Sequence, residues 1–130
     1  MYRLKNGESI DCKVISLKKD YYRRKKFFYQ KNSEFFEIFD AATPELNRNL
    51  NLFDEIAFEK FYLRKPLPGE IGCTLSHYLV LREYVESESS TPFILVAEDD
   101  AIFQDNLFDV IEECADYLPS KGVAMRLIQK

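Results

Sequence analysis

A chain of 130 residues, 46% hydrophobic and 31% charged, is long enough to bury one compact core and too short for two comfortable domains. Its net charge of -4 and isoelectric point near 5.1 argue against a nucleic acid as main partner, because phosphate neutralisation needs a basic surface, although basic residues do cluster locally. Cys12, Cys73 and Cys114 are odd in number, widely spaced and lack a Cys-x-x-Cys pair; this argues against a disulfide framework or structural zinc and for a reducing cytoplasm.

Residues 1–19 carry charges at Arg3, Lys5, Glu8, Asp11 and Lys13, so no signal peptide is expected there. No later window approaches a membrane span, which leaves peripheral contact, at the inner face of the membrane, as the expected limit. The apolar, β-branched run Cys12–Leu17 predicts a buried strand. Residues 18–31 are basic with interleaved Tyr21, Tyr22, Phe27 and Phe28, and predict a helix with a mixed face. Phe35–Phe39, rich in strand formers, predicts a second strand ending at Asp40. Thr43-Pro44-Glu45 is a helix start, with Thr43 as N-cap and Pro44 first in the helix. Leu46, Leu50, Phe53 and Ala57 carry that helix toward Tyr62.

Lys65 to Gly69 breaks the chain, and Ile71, Leu75, Tyr78, Leu79, Arg82 and Val85 line one side of a helix entered through Gly72. Pro92–Ala97 is the clearest predicted buried strand. After it, Leu107, Phe108, Ile111, Cys114, Ala115 and Leu118 outline an amphipathic helix with Asp105 as N-cap, ended by Pro119 and Gly122. Val123–Ile128 predicts a last strand. Strands alternating with helices predict an α/β layer around a mostly parallel sheet, with ligands beyond the carboxyl ends of its strands.

Glu98-Asp99-Asp100 ends the predicted strand 92–97. Adjacent carboxylates repel one another, and a divalent cation removes that cost. Along an extended chain Glu98 and Asp100 face one way and Asp99 the other, so two same-side oxygens could hold Mg²⁺ or Mn²⁺ together with phosphate oxygens. The competing reading is a solvated turn that leads into the next helix.

A second constellation is Gly69 to His77. Its glycines, placed at a loop-to-helix junction, would let a ligand approach the backbone, and Ser76 and His77 would lie where a sugar or phosphate could be bonded. The alternatives are that the glycines only make the turn and that His77 is a satisfied helix residue. A Cys73–His77 metal pair lacks further soft ligands in the sequence and is set aside. In the run Arg23 to Lys26, Arg23 or Arg24 could grip a diphosphate, while Lys25 and Lys26 read as a solvated helix face. Asp40-Ala41 closes the second strand, where Asp40 either caps a turn or meets ribose or base.

Taken in order, Val14-Ile15-Ser16-Leu17 with Arg23-Arg24, Phe39-Asp40-Ala41, Gly69 to His77, and Ile94 to Ala101 resemble glycosyltransferase family 25, the lipooligosaccharide-type galactosyltransferases. The resemblance runs over nearly the whole chain. It implies a GT-A-like nucleotide-diphosphosugar layer that uses UDP-galactose and a divalent metal, Mn²⁺ first. It also implies Glu98, Asp99 and Asp100 as a variant D-x-D site, with Asp100 the leading ligand. Ser16, Leu17, Asp40 and Ala41 would border the nucleotide; Arg23 or Arg24, with Gly72, Cys73, Ser76 and His77, would approach the donor. The acceptor would be a hydroxyl of a surface glycan or glycolipid.

Family members are about twice this length, so a truncated layer is expected, with the acceptor site and base lying beyond it. An uncovered edge on such a layer invites self-association, hence a homo-oligomer. Two other classes compete with an active transferase: a non-catalytic nucleotide-sugar-binding or regulatory module, and a phospho-acceptor signalling domain. Against the latter, the acids here come from one strand end rather than several.

Overall fold

The computed structural model describes residues 1–88 and 91–118. It opens with a short strand that periodicity does not predict. Tyr2–Arg3 (β1) runs antiparallel to Ser9–Ser16 (β2), with Tyr2 opposite Ile10 and Arg3 opposite Ser9. The reversal between them places Gly7 at φ 90°, a conformation that favours glycine. Along β2, Ile10, Cys12, Val14 and Ser16 are buried on one face while Ser9, Asp11 and Lys13 are half-buried on the other.

Tyr21–Tyr29 (α1) lies inside the predicted helix, and its buried residue is Phe27. The second strand starts later than expected. Asn32 adopts a left-handed backbone and Ser33–Phe35 coil into a 3-10 turn, so pairing begins only at Glu37–Asp40 (β3). Phe36, just ahead of β3, faces the core instead.

The predicted helix from Thr43 to Tyr62 is two helices, Pro44–Leu50 (α2) and Glu55–Tyr62 (α3). Thr43 and Pro44 do begin the first. Asn51, at φ 48°, ends it in the left-handed region that asparagine tolerates, and the Asp54 carboxylate caps the next by accepting from Ala57 N at 2.9 Å. The turn is tied by Phe53 N donating to Asn47 Oδ1 at 2.6 Å.

Pro68–Glu86 (α4) begins a full turn before Gly72, so Gly69 and Gly72 are helical rather than junctional. Pro68 brings a fixed φ suited to a first turn. Glu70 accepts from Leu67 N at 2.9 Å and is forked by Arg64 at 2.7 and 2.9 Å, so this helix N-terminus already has its anion.

Phe93–Glu98 (β4) is half-buried through Ala97, because it pairs with β2 and, among the described residues, with no strand on its other edge. Leu107–Ala115 (α5) buries Phe108 and Ile111 as its pattern predicts; its N-cap is Asn106 rather than Asp105. Pro119, Gly122 and the strand expected at 123–128 lie outside the described residues.

β3 pairs parallel with β2 through Lys13–Ser16, and β4 pairs parallel with β2 through Ile10–Ile15. A residue that pairs with two strands has them on opposite edges. Ile10 pairs with both β1 and β4, while Lys13, Val14 and Ile15 pair with both β3 and β4. β1 and β3 therefore lie end to end along one edge of β2, with β4 on the other. The result is an α/β fold: a sheet parallel except for β1, with helices on both faces. Phe27 of α1 and Phe108 and Ile111 of α5 cover Ile10, Cys12 and Val14. Phe27, at 1% exposure, sits among Phe28, Phe36 and Phe103. Burying such a ring contributes about 1.5–3 kcal/mol. The Val80 and Tyr84 side of α4 lies over Asp11, Lys13 and Ile94 on the opposite face. Among the described residues no helix is long and apolar enough to cross a membrane.

Candidate functional site

From β2 the chain crosses to β3 on one side and later to β4 on the other, so the direction of winding reverses at β2. The crevice of such a sheet opens beyond the carboxyl ends of the strands flanking that reversal. Ser16 stands opposite Asp40 and Ile15 opposite Glu98. Ala41 N donates to Ser16 O at 2.9 Å and Asp99 N to Ile15 O at 3.1 Å, extending both pairings one residue past the strands. Backbone register alone thus brings Ser16, Asp40, Ala41, Glu98 and Asp99 to one edge.

The three acids there have three different environments. Alternation holds only as far as Glu98, because Asp99 and Asp100 form a turn closed by Ala101 N donating to Glu98 O at 3.0 Å. Asp99 is buried at 8% exposure. Its Oδ2 accepts from Ser16 Oγ at 2.7 Å, and its Oδ1 meets Arg23 Nη2 at 2.7 Å. Asp100 has a side chain 67% exposed, with Arg23 at 3.8 Å. Glu98 turns toward α4, where its Oε1 accepts from Cys73 Sγ at 3.3 Å and lies 3.1 Å from His77 Nε2. That hydrogen bond to His77, aided by Cys73 and Arg23 and opposed by burial, holds the Glu98 carboxyl below its usual range. Desolvation, then the Glu98 bond and the charges of Glu98 and Asp100, push the Cys73 thiol up. Cys73 therefore meets the Glu98 carboxylate directly, at 3.3 Å.

Arg24 organises the β3 side of the crevice. Its Nε donates to Ser16 Oγ at 3.1 Å, and its Nη2 donates to Ser16 O at 2.9 Å and to Asp40 Oδ1 at 2.7 Å. Both arginines come from the first turn of α1, which starts where Asp20 N bonds Leu17 O at 3.0 Å. Leu17 is half-buried and shapes that turn through its carbonyl.

Ser76 and Gly72 join α4 to the segment after β3. The Ser76 hydroxyl, 1% exposed, accepts from Ala42 N at 2.8 Å and donates to Gly72 O at 2.7 Å. A Cβ at Gly72 would stand 3.1 Å from Ala42 O, so glycine there lets the helix lie close to this segment. Of the residues predicted from Gly69 to His77, the structure brings Cys73 and His77 into the crevice and engages Ser76 and Gly72 in packing. Lys25 and Lys26 are exposed, as a solvated face requires.

Two features escaped the sequence: the Arg23–Asp99 pair and the meeting of Cys73, His77 and Glu98. Only the i, i+4 spacing of Cys73 and His77 hinted at the second. A concavity of about 730 Å³ lies at the opposite end of the sheet beside Leu4, Phe93 and Glu112. The ligand rule for parallel sheets favours the carboxyl-end crevice instead.

Residues 10–129 match the family described as Glycosyltransferase family 25 (LPS biosynthesis protein). The chain is also 34% identical over 107 residues, 81% of its own length, to a Haemophilus influenzae protein named "Putative glycosyltransferase". It spans 36% of the length of that curated relative. No solved structure matches it. With nearly all of β2 through the acidic triplet inside the matched span, this chain belongs to glycosyltransferase family 25.

Proposed function

We propose that the crevice binds the nucleotide-sugar donor of a hexosyl transfer, UDP-galactose first, for delivery to a hydroxyl of a lipooligosaccharide or other surface glycan. Family membership supports the transferase class. The observation that carries the site is the convergence, at the switch point of the sheet, of two oriented arginines with two outward-facing carboxylates. Arg23, held by Asp99 yet 51% exposed, would meet the diphosphate. Asp40, 60% exposed and fixed by Arg24, would meet ribose or base. Ser16, Leu17 and Ala41 form the floor beneath them.

Two of the three acids keep exposed oxygens, the donor type that a hard dication takes. Glu98 and Asp100 offer side chains 47% and 67% exposed, whereas Asp99 already faces Arg23 and Ser16. Mn²⁺ or Mg²⁺ would be held by Glu98 and Asp100 with waters and donor oxygens, and would neutralise charge building on the UDP leaving group. Asp99 then acts through Arg23 and Ser16 as a positioning residue.

Calorimetric titration with UDP, with and without Mn²⁺, tests the reading. The expected result is metal-dependent binding that Asp100→Ala and Arg23→Ala each weaken roughly tenfold or more, the scale of a lost charge-assisted contact. Absence of UDP binding by the folded chain, or unchanged binding in Asp100→Ala, sinks it. Turnover of UDP-galactose, measured separately, distinguishes a transferase from a donor-binding module.

A further inference from the structure

Cys73 and His77 are four residues apart on α4 and project from one face of the helix. In the sequence this pair has no partner; the fold supplies one twenty-one residues beyond His77. Glu98 Oε1 lies 3.3 Å from Cys73 Sγ and 3.1 Å from His77 Nε2, and the three ligand atoms all fall within 4.8 Å of one another. A tetrahedral zinc ion with bonds of about 2.0–2.3 Å separates its ligand atoms by about 3.3–3.6 Å. Two of the three separations are already within a few tenths of an ångström of that.

The chemistry of the set is equally specific. One thiol, one imidazole and one carboxylate suit a borderline-soft ion, whereas Mg²⁺ and Mn²⁺ would leave the sulfur unused. His77 and Glu98 side chains are 41% and 47% exposed and Cys73 is exposed, so an ion has a way in.

We propose that Cys73, His77 and Glu98 form a three-ligand site for a borderline-soft divalent cation, Zn²⁺ first, with its fourth position left to water or an anionic oxygen. On binding, the Cys73 proton leaves to solvent and the sulfur–carboxylate hydrogen bond is replaced by two bonds to the ion. Zn²⁺ and Mn²⁺ then compete for Glu98. That competition rests on the donor reading above; the zinc site rests on side-chain geometry alone.

Cobalt(II) stands in for zinc as the probe. Titrated without nucleotide into the metal-free 130-residue chain, it should produce a sulfur-to-cobalt charge-transfer band with a one-equivalent end point, bleached by Zn²⁺. Cys73→Ser should abolish the band. His77→Ala should weaken cobalt binding roughly tenfold or more, since losing even a supporting group costs that much. Both changes are at the surface, and a thermal melt verifies that each variant folds. A band surviving Cys73→Ser would put the thiolate at Cys12 or Cys114 and overturn the assignment, as would no band from a folded chain. Loss of UDP binding with the cobalt band intact would instead defeat only the donor reading.

Discussion

Substituting Asp99 and Asp100 one at a time separates two roles that three adjacent acids conceal. Asp99 and Ser16 are 8% and 2% exposed, and the hydrogen bond between them is 2.7 Å long. A buried bond to a charged acceptor contributes about 1.5–3 kcal/mol. The 2.7 Å pair with Arg23 is half in water on the arginine side, at 51% exposure, so it adds about 0–1 kcal/mol. Asp99→Ala should therefore cost about 2–4 kcal/mol, a fall in melting temperature of roughly 5–15 °C for a domain of this size. Asp99→Asn keeps an acceptor for Ser16 and should cost less. Asp100, 67% exposed with its arginine at 3.8 Å, should change stability by no more than about 0.5 kcal/mol when replaced by alanine. Thermal and urea unfolding followed by circular dichroism would measure both. Equal losses in the two alanine variants, or an Asp99→Ala melt indistinguishable from the parent, would refute the division of roles.

Two further outcomes follow from buried groups. Ser76→Ala removes the acceptor of Ala42 N, so urea unfolding should show a loss of about 1–3 kcal/mol with an unchanged m-value; a silent variant would show that the hydroxyl does not tie α4 to the β3 end. Burial pushes the Cys12 thiol up to about 11 from 9.0. A folded value above the unfolded one means that this stabilisation is complete below about pH 9 and is lost between there and about pH 11. The loss amounts to about 2–3 kcal/mol. Alkaline unfolding of Cys12→Ala should lack that decline, and an equal decline in the variant would assign it to other groups.

Much of the layer was legible because its signals are local. The apolar run at Cys12–Leu17 and the periodicity of residues 107–115 name their elements without help from the rest of the chain. The split of α2 from α3 was written in Asn51 and Asp54, whose capping chemistry is as local as the hydrophobic spacing that masked it. The position of the crevice was also legible, since strand–helix alternation predicts a parallel sheet and hence a ligand edge.

What each side chain does at that edge was not. Ser16 and Asp99 are 83 residues apart in the chain, and no local pattern reports the hydrogen bond between them. Gly72 read as a junction glycine that lets a ligand approach the backbone, yet its lack of a Cβ serves the approach of Ala42 O, a contact set by how α4 packs. Composition and periodicity determined the kinds of element and the end of the sheet where the acids and arginines gather, because both depend on neighbours along the chain. Only the tertiary structure decided which acid is buried against an arginine, which faces solvent and which meets a thiol and an imidazole. Those fates depend on groups that folding alone brings within 3–4 Å.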